Sequence, residues 1–491
     1  MIVAKARRRT AAPRAVVPAE AGARPAGEGP SGVSRMGIVL GASLLVLVGA
    51  VGSRLWDRAH RPPPGALQPA TLPAAAGPAP LVEGPPPSLS AQTPPPTASF
   101  KVETIGVPDA DRARAERLVR RLADAGSLSA TDVQAAEDLV AGHPDERPLR
   151  DLLEAVLLGA AQRHQRQRQF PQAVAYLQRA HQVQPTSTRP LIALLQVAME
   201  MGDWPAAEAA ARAAIAVAPR TFDTWQGLGF ALMRQDRNRE AVDALRSALE
   251  LRDDSNTRLL MERIQKGMAD ERGMAERRLS HFSVRYDGGE HEEVGREILR
   301  ALERHYATLV TALDYQPVNT ISVILFTREG YYNASGAPAW SGGAYDNIDG
   351  RIRIPIGGLT SSLTPDMDET LIHELTHAFV ADRTRGQAPR ELHEGLAQYM
   401  EGKRLDSMLT SDQIAALADG RIGGVAGYYL GSLSFVEYLI ANRGLGGINE
   451  LLKAMGETGS ADEAFRQVHG TSFRGAQQAW TQRFRQQRGR G

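Results

Sequence analysis

Apolar positions in this chain change period several times, and each change marks an element. Between residues 110 and 150 they recur at helical spacing, first Leu118, Val119 and Leu122, then Val133, Ala136, Leu139 and Val140. Residues 290–313 read as a helix, and Ile321-Ser322-Val323-Ile324-Leu325-Phe326 as an apolar β-branched strand. Residues 350–355 alternate one by one, as a half-exposed strand does. Helical spacing then returns with Leu371, Ile372, Leu375, Ala378 and Phe379. Ahead of them Thr364-Pro365-Asp366 supplies an N-cap, a proline at the first helical position and acid in the first turn. Residues 391–399 and 433–439 read as further amphipathic helices.

From residue 154 to residue 255 the pattern itself repeats. Ala173, Ala207 and Ala241 stand 34 residues apart, as do Ala180, Ala214 and Ala248. Val183, Val217 and Leu251 follow the same period, and Pro185 and Pro219 recur with Asp253 in the third copy. This resembles the tetratricopeptide repeat, with Trp225, Leu228 and Gly229 at that family's first-helix positions. The first copy departs from it, with Ala161 at the glycine position and His164 at the aromatic one. The resemblance implies three stacked helix pairs with a concave face, serving as a protein-docking module or as a spacer. Residues 110–153 read as a helical cap or a degenerate repeat.

The first hundred residues carry no such periodicity. Residues 1–35 hold Lys5, Arg7, Arg8, Arg9, Arg14, Arg24 and Arg35, whereas residues 36–53 carry no charge. The stretch between Arg35 and Arg54 spans about 27 Å as a helix, just short of a ~30 Å hydrocarbon core, and snorkelling arginines close the gap. The expectation is a single transmembrane helix at 36–53 with a basic cytoplasmic segment before it and the remainder outside. The rival reading is a signal peptide cleaved near Ala50-Val51-Gly52. Residues 54–100 contain three Pro-Pro-Pro runs, at 62–64, 85–87 and 94–96, and read as an extended linker.

Composition narrows the function classes. A net charge of +1 over 491 residues argues against nucleic acid as the main partner. The absence of cysteine removes disulfides, iron–sulfur clusters and a lipoprotein anchor.

The candidate chemistry lies in His373-Glu374-Leu375-Thr376-His377. Residues four apart on a helix share a face, so both imidazoles can reach one metal ion, with Glu374 beside it as general base toward a water molecule. On a largely buried helix two unpaired histidines are costly, and a metal satisfies them. A third ligand is needed, and Glu391-Leu392-His393-Glu394-Gly395-Leu396-Ala397-Gln398-Tyr399 offers His393 or Glu394. These two point about 100° apart on one helix, so only one can face the metal.

H-E-x-x-H followed by E-G-x-A-x-Y resembles the gluzincin metallopeptidases, in particular the peptidase MA-like family. The resemblance covers about residues 278–488, and His281-Phe282-Ser283-Val284-Arg285-Tyr286 resembles the family's opening strand. It implies zinc held by His373, His377 and Glu394. Tyr428-Tyr429 and the segment after them resemble the family's Y-x-x-S-x-x-F-V-x-Y-L run, with Tyr429 and Ser432 in register. Related enzymes commonly direct a tyrosine hydroxyl at the tetrahedral intermediate, which points to Tyr429, with Tyr428 in reserve. The strand at 350–355 is the one expected to border the cleft.

The expected fold is therefore mixed. An all-α tetratricopeptide-like solenoid precedes an α+β zincin-like domain, behind an N-terminal transmembrane helix. The expected function is a bacterial inner-membrane zinc metallopeptidase with its C-terminal domains in the periplasm. Its partners would be a peptide or protein substrate and a protein on the repeats. The alternative is a non-catalytic repeat scaffold carrying an inactive peptidase-like domain.

Overall fold

The computed structural model describes residues 106–123, 128–286, 292–335, 342–356 and 363–486. The basic segment, the expected transmembrane helix and the Pro-rich linker lie outside these residues. No described helix is long and apolar enough to cross a membrane. The described chain is mostly helical, with one five-stranded mixed sheet.

Helices α1 (Asp109–Ala123) and α2 (Ala130–Gly142) come first, the second opened by a Ser129 capping box. Three antiparallel helix pairs follow: α3 (Arg147–Arg166) with α4 (Phe170–Val183), α5 (Arg189–Met201) with α6 (Trp204–Val217), and α7 (Phe222–Arg234) with α8 (Asn238–Leu251). Proline stands at the start of α3, α4, α5 and α6, where its missing N–H costs nothing. The six period-34 alanines are fully buried on the second helix of each pair, where any larger side chain would push the helices apart. Helix α9 (Ser255–Asp270), capped by Asp254, closes the stack through a buried Gln226–Thr257 hydrogen bond of 2.8 Å.

The sheet runs β1 (Ala275–Leu279), β2 (Phe282–Tyr286), β3 (Ile321–Phe326), β5 (Arg351–Pro355), β4 (Ala344–Asp346) in spatial order. The β2–β3 and β3–β5 pairs are parallel and the two outer pairs antiparallel. Helix α10 (Glu292–Leu313) makes the crossover from β2 to β3. All six residues of β3 are buried, because both faces of the sheet are covered. Ile321, Val323 and Leu325 face the main core with α10 and α12 (Pro365–Thr384). On the opposite face Ile324 and Phe326 meet Tyr331 of α11 (Arg328–Ser335).

That second face also meets the repeats. Arg168, Gly202 and Asp236 occupy the turn between the two helices of each pair, 34 residues apart, and all three have positive φ. Each touches the C-terminal domain. Arg168 donates to the Gly456 carbonyl at 3.3 Å, and the Gly202 carbonyl accepts from Asn319 at 3.3 Å. Asp236 accepts from Ser322 and from Arg285, each at 2.9 Å, and pairs with Arg351. The repeat and the sheet are therefore continuous, whereas the sequence pattern divides them at residue 255. Residues 255–278 belong to both, as α9 and the start of β1. The C-terminal helices are α13 (Arg390–Met400), α14 (Leu405–Met408), α15 (Ser411–Ala418), α16 (Gly424–Thr458, kinked at Gly444), α17 (Ala461–His469) and α18 (Phe473–Gln486).

Candidate metal centre

Helix α12 starts where the chain chemistry directs it: the Thr364 side chain accepts from the Met367 N–H at 3.3 Å, and Pro365 follows. Leu371, Leu375 and Phe379 are fully buried and fix the rotation of the helix. That rotation turns His373 and His377 to one side, with ring centroids 4.8 Å apart.

Helix α13 lies against α16, and Gly395 sets the approach. A Cβ there would fall far inside contact distance of the Ser432 carbonyl oxygen. The close crossing brings Glu394 beneath the two imidazoles. Its carboxylate lies 3.6 Å from Nε2 of His373 and 3.8 Å from Nε2 of His377. The ligand atoms of His373, His377 and Glu394 all lie within 4.8 Å of one another, and the group could hold a metal ion. Tetrahedral ligands at about 2.0–2.1 Å from a metal stand roughly 3.3 Å apart, so small side-chain movements would close the cradle. His393 is buried in α13, with its ring 5.6 Å from that of His377, and lies outside the group.

The electrostatics fit a cation. Glu374 and Glu394 are both buried, and each has a carboxylate oxygen with no hydrogen-bond partner. Burial pushes Glu374 up to about 7, aided by Glu394 and Glu401 and opposed by His373. Burial resists ionisation of Glu394, but His377 and His373 outweigh it and hold its carboxyl below the usual range. Burial also acts against a charged His373, yet Glu394 and Glu401 hold it up to about 10. His377 is driven by burial down to about 3. Two imidazoles at opposite extremes beside three carboxylates make an unbalanced site that a divalent ion would balance.

Tyr428 and Tyr429 lie in the first turns of α16. Burial pushes both hydroxyls up. The charges acting most on Tyr429 after burial are Glu394 and Glu374, whereas for Tyr428 Glu391 comes before Glu394. Gln398 ties the two elements together, donating to the Tyr429 carbonyl at 2.9 Å and to the Glu394 carbonyl at 3.0 Å.

Two features of the site are absent from the sequence reading. Glu401 lies 2.7 Å from Nδ1 of His373 and also pairs with Lys403. It is seven residues from Glu394, two helical turns on, and that spacing was the available signal. The second is the strand beside the site. The expected cleft strand, β5, is interior, paired on both sides by β3 and β4. Among the described residues the edge on this side of the sheet is β4. A Cβ on the neighbouring Gly343 would stand 2.8 Å from Glu374 Cγ, so strand and helix meet in direct contact. Three residues are too few to show a period, which is why β4 escapes pattern reading.

No protein-family model matches this chain, and a search of the curated proteins finds no match.

Proposed function

We propose that this protein is a zinc-dependent, membrane-anchored metallopeptidase of the peptidase MA-like, gluzincin kind. The observation that carries the reading is the His373–His377–Glu394 group, half-buried at His373 and buried at the other two, with the buried Glu374 next to His373 in the chain. A buried structural histidine pair would need no unpaired carboxylate next to it. His373, His377 and Glu394 would hold the zinc, which when bound supplies Lewis-acid polarisation of the scissile carbonyl. Glu374 takes the proton of the attacking water at its carboxylate and passes it to the leaving amine nitrogen. Tyr429 stays protonated and donates its hydroxyl hydrogen to the developing oxyanion. Among the described residues β4 is the outer strand on this side of the sheet, and its edge offers backbone groups to an extended peptide substrate.

In this reading residues 36–53 anchor the protein in a bacterial inner membrane and residues 100–491 work in the periplasm. The 34-residue pairs are tetratricopeptide repeats, with a partner protein on the surface that the C-terminal domain leaves free. The competing reading, a scaffold with an inactive peptidase-like domain, has less support because the three candidate ligands lie together and Glu374 keeps a buried carboxylate oxygen with no hydrogen-bond partner.

Metal analysis of the full-length protein, beside cleavage of a peptide library, tests the proposal. About one zinc per chain is expected. Glu374→Gln should keep the metal and lose hydrolysis by about 10²–10⁴-fold, because the amide cannot take the water's proton. Equal activity in that variant removes Glu374 from the mechanism. A zinc-loaded wild type that cleaves nothing favours the scaffold.

A further inference from the structure

The turn between β4 and β5 is held from two sides. On one side the strand rests on α12: a Cβ on Gly343, just before β4, would stand 2.8 Å from Glu374 Cγ, and Tyr345 packs in the main core. On the other side the turn meets the repeats. Arg234, at the end of α7, donates to the Asn347 carbonyl at 2.7 Å and to the Ile348 carbonyl at 3.3 Å. Its guanidinium lies over the Trp204 ring at 4.7 Å, so the repeat orients the donor before the turn arrives. Ile348 packs against the apolar core shared by α6, α7 and α8. Arg263 of α9 pairs with the buried Asp346, the last residue of β4.

Gly350 completes the fit. It has φ of 74°, and a Cβ there would stand 3.1 Å from the Arg234 guanidinium carbon. A side chain would be strained in its own backbone and would push the arginine out.

We infer that Arg234 is a positioning residue for the proposed peptidase site: the repeats clamp the β4–β5 turn, and the turn sets Glu374 through the close contact of Gly343, just before β4, with its side chain. This rests on the metallopeptidase reading of the site. The repeats are then a working part of the enzyme, and a ligand that displaces α7 from the turn changes hydrolysis without touching metal or substrate. The rival account is that the turn holds itself. Asp346 accepts from the Ile348 N–H at 2.9 Å and its carbonyl accepts from the Gly350 N–H at 2.7 Å, so a self-supporting turn would leave Arg234 dispensable.

The test uses the full-length protein in detergent, as wild type, Arg234→Ala and Arg234→Lys. Three quantities are measured: zinc content, kcat on a peptide that the wild type cleaves, and amide hydrogen exchange over residues 344–351. In Arg234→Ala exchange over that segment should rise and kcat should fall about tenfold, with zinc content unchanged. Arg234→Lys should recover most of kcat, because an ammonium still reaches one carbonyl. Unchanged exchange, unchanged kcat or equal loss in both variants overturns the inference. If the wild type cleaves nothing, the peptidase reading fails by itself. In that case faster exchange in Arg234→Ala still supports the clamp, and unchanged exchange overturns it, so the two failures are told apart.

Discussion

Glu401 stands 2.7 Å from Nδ1 of His373, the nitrogen opposite the one that faces Glu394. A carboxylate this close to Nδ1 attracts its proton and so favours the tautomer whose Nε2 is free to face Glu394. Burial opposes the charge on Glu401, but His373 first and Lys403 second hold its carboxyl below the usual range. Glu401→Ala should therefore weaken zinc binding about 10–100-fold, measured by competition with a chelator. Glu401→Gln keeps an acceptor oxygen and should lose less. Equal affinity in wild type and the alanine variant would show that Glu401 serves Lys403 alone.

The close crossing of α13 and α16 makes a separate prediction. Gly395→Ala places a methyl group against the Ser432 carbonyl and against Val436. The helices must separate or Glu394 must turn, and overpacking of this kind costs about 1–3 kcal/mol. Denaturant midpoints should fall by that amount and zinc affinity should fall with them. A variant with unchanged midpoint and unchanged affinity would mean that α13 shifts freely, and that its position is not what places Glu394.

How far the chain could be read from its pattern varies by element, for physical reasons. Residues 321–326 and the helix from Pro365 were legible because burial on both faces and strong capping leave local marks. The period-34 alanines were legible because close helix crossings exclude larger residues at each repeat. The pairing of Asp236 with Arg351 was not, since it joins residues 115 apart and neither position is unusual locally. His393 and Glu394 could not be separated by spacing. What distinguishes them is the rotation of α13, which depends on the contact between Gly395 and Ser432. Glu401 follows the last helical residue of α13, where a helical projection loses force, although its spacing from Glu394 is informative.

The buried histidines give the metal-free protein a pH dependence. Burial drives His377 down to about 3 and His393 down to about 4, so both are neutral in the fold. In an unfolded chain they protonate near pH 6.5. Between about pH 6.5 and 4 the unfolded state therefore holds protons that the folded state does not, and stability falls as pH falls. His373 acts in the opposite sense: held up to about 10, it stabilises the fold at low pH, and that contribution is lost as pH rises towards 10. Glu374, pushed up to about 7 by burial, also opposes His377 and His393, because the fold takes up its proton between about pH 7 and 4.5 and gains stability as pH falls. The histidine contribution is therefore read by difference: in chelator-stripped protein His393→Leu should raise the urea midpoint at pH 5 relative to that at pH 7, compared with wild type. The same pH 5 to pH 7 difference in both proteins would mean that His393 is not held neutral in the fold.

The last prediction concerns the contact between repeat and sheet. Asp236 and Glu271 face Arg285 and Arg351, two carboxylates against two guanidiniums, with the Arg351 side chain only 3% exposed. Breaking a buried pair by removing one partner leaves the other charge unpaired and costs about 3–5 kcal/mol. Asp236 also has φ of 63°, so alanine there would add backbone strain, whereas asparagine tolerates that conformation. Asp236→Asn therefore isolates the charge. It should destabilise the whole unit by about 3 kcal/mol or more, in one cooperative transition, because the repeats and the sheet share this cluster. Glu271→Gln should behave alike, and the two together should cost less than their sum, since both act on the same arginines. Two resolved transitions in Asp236→Asn, with the sheet domain unaffected, would show that the repeats fold independently and that the cluster only ties them together.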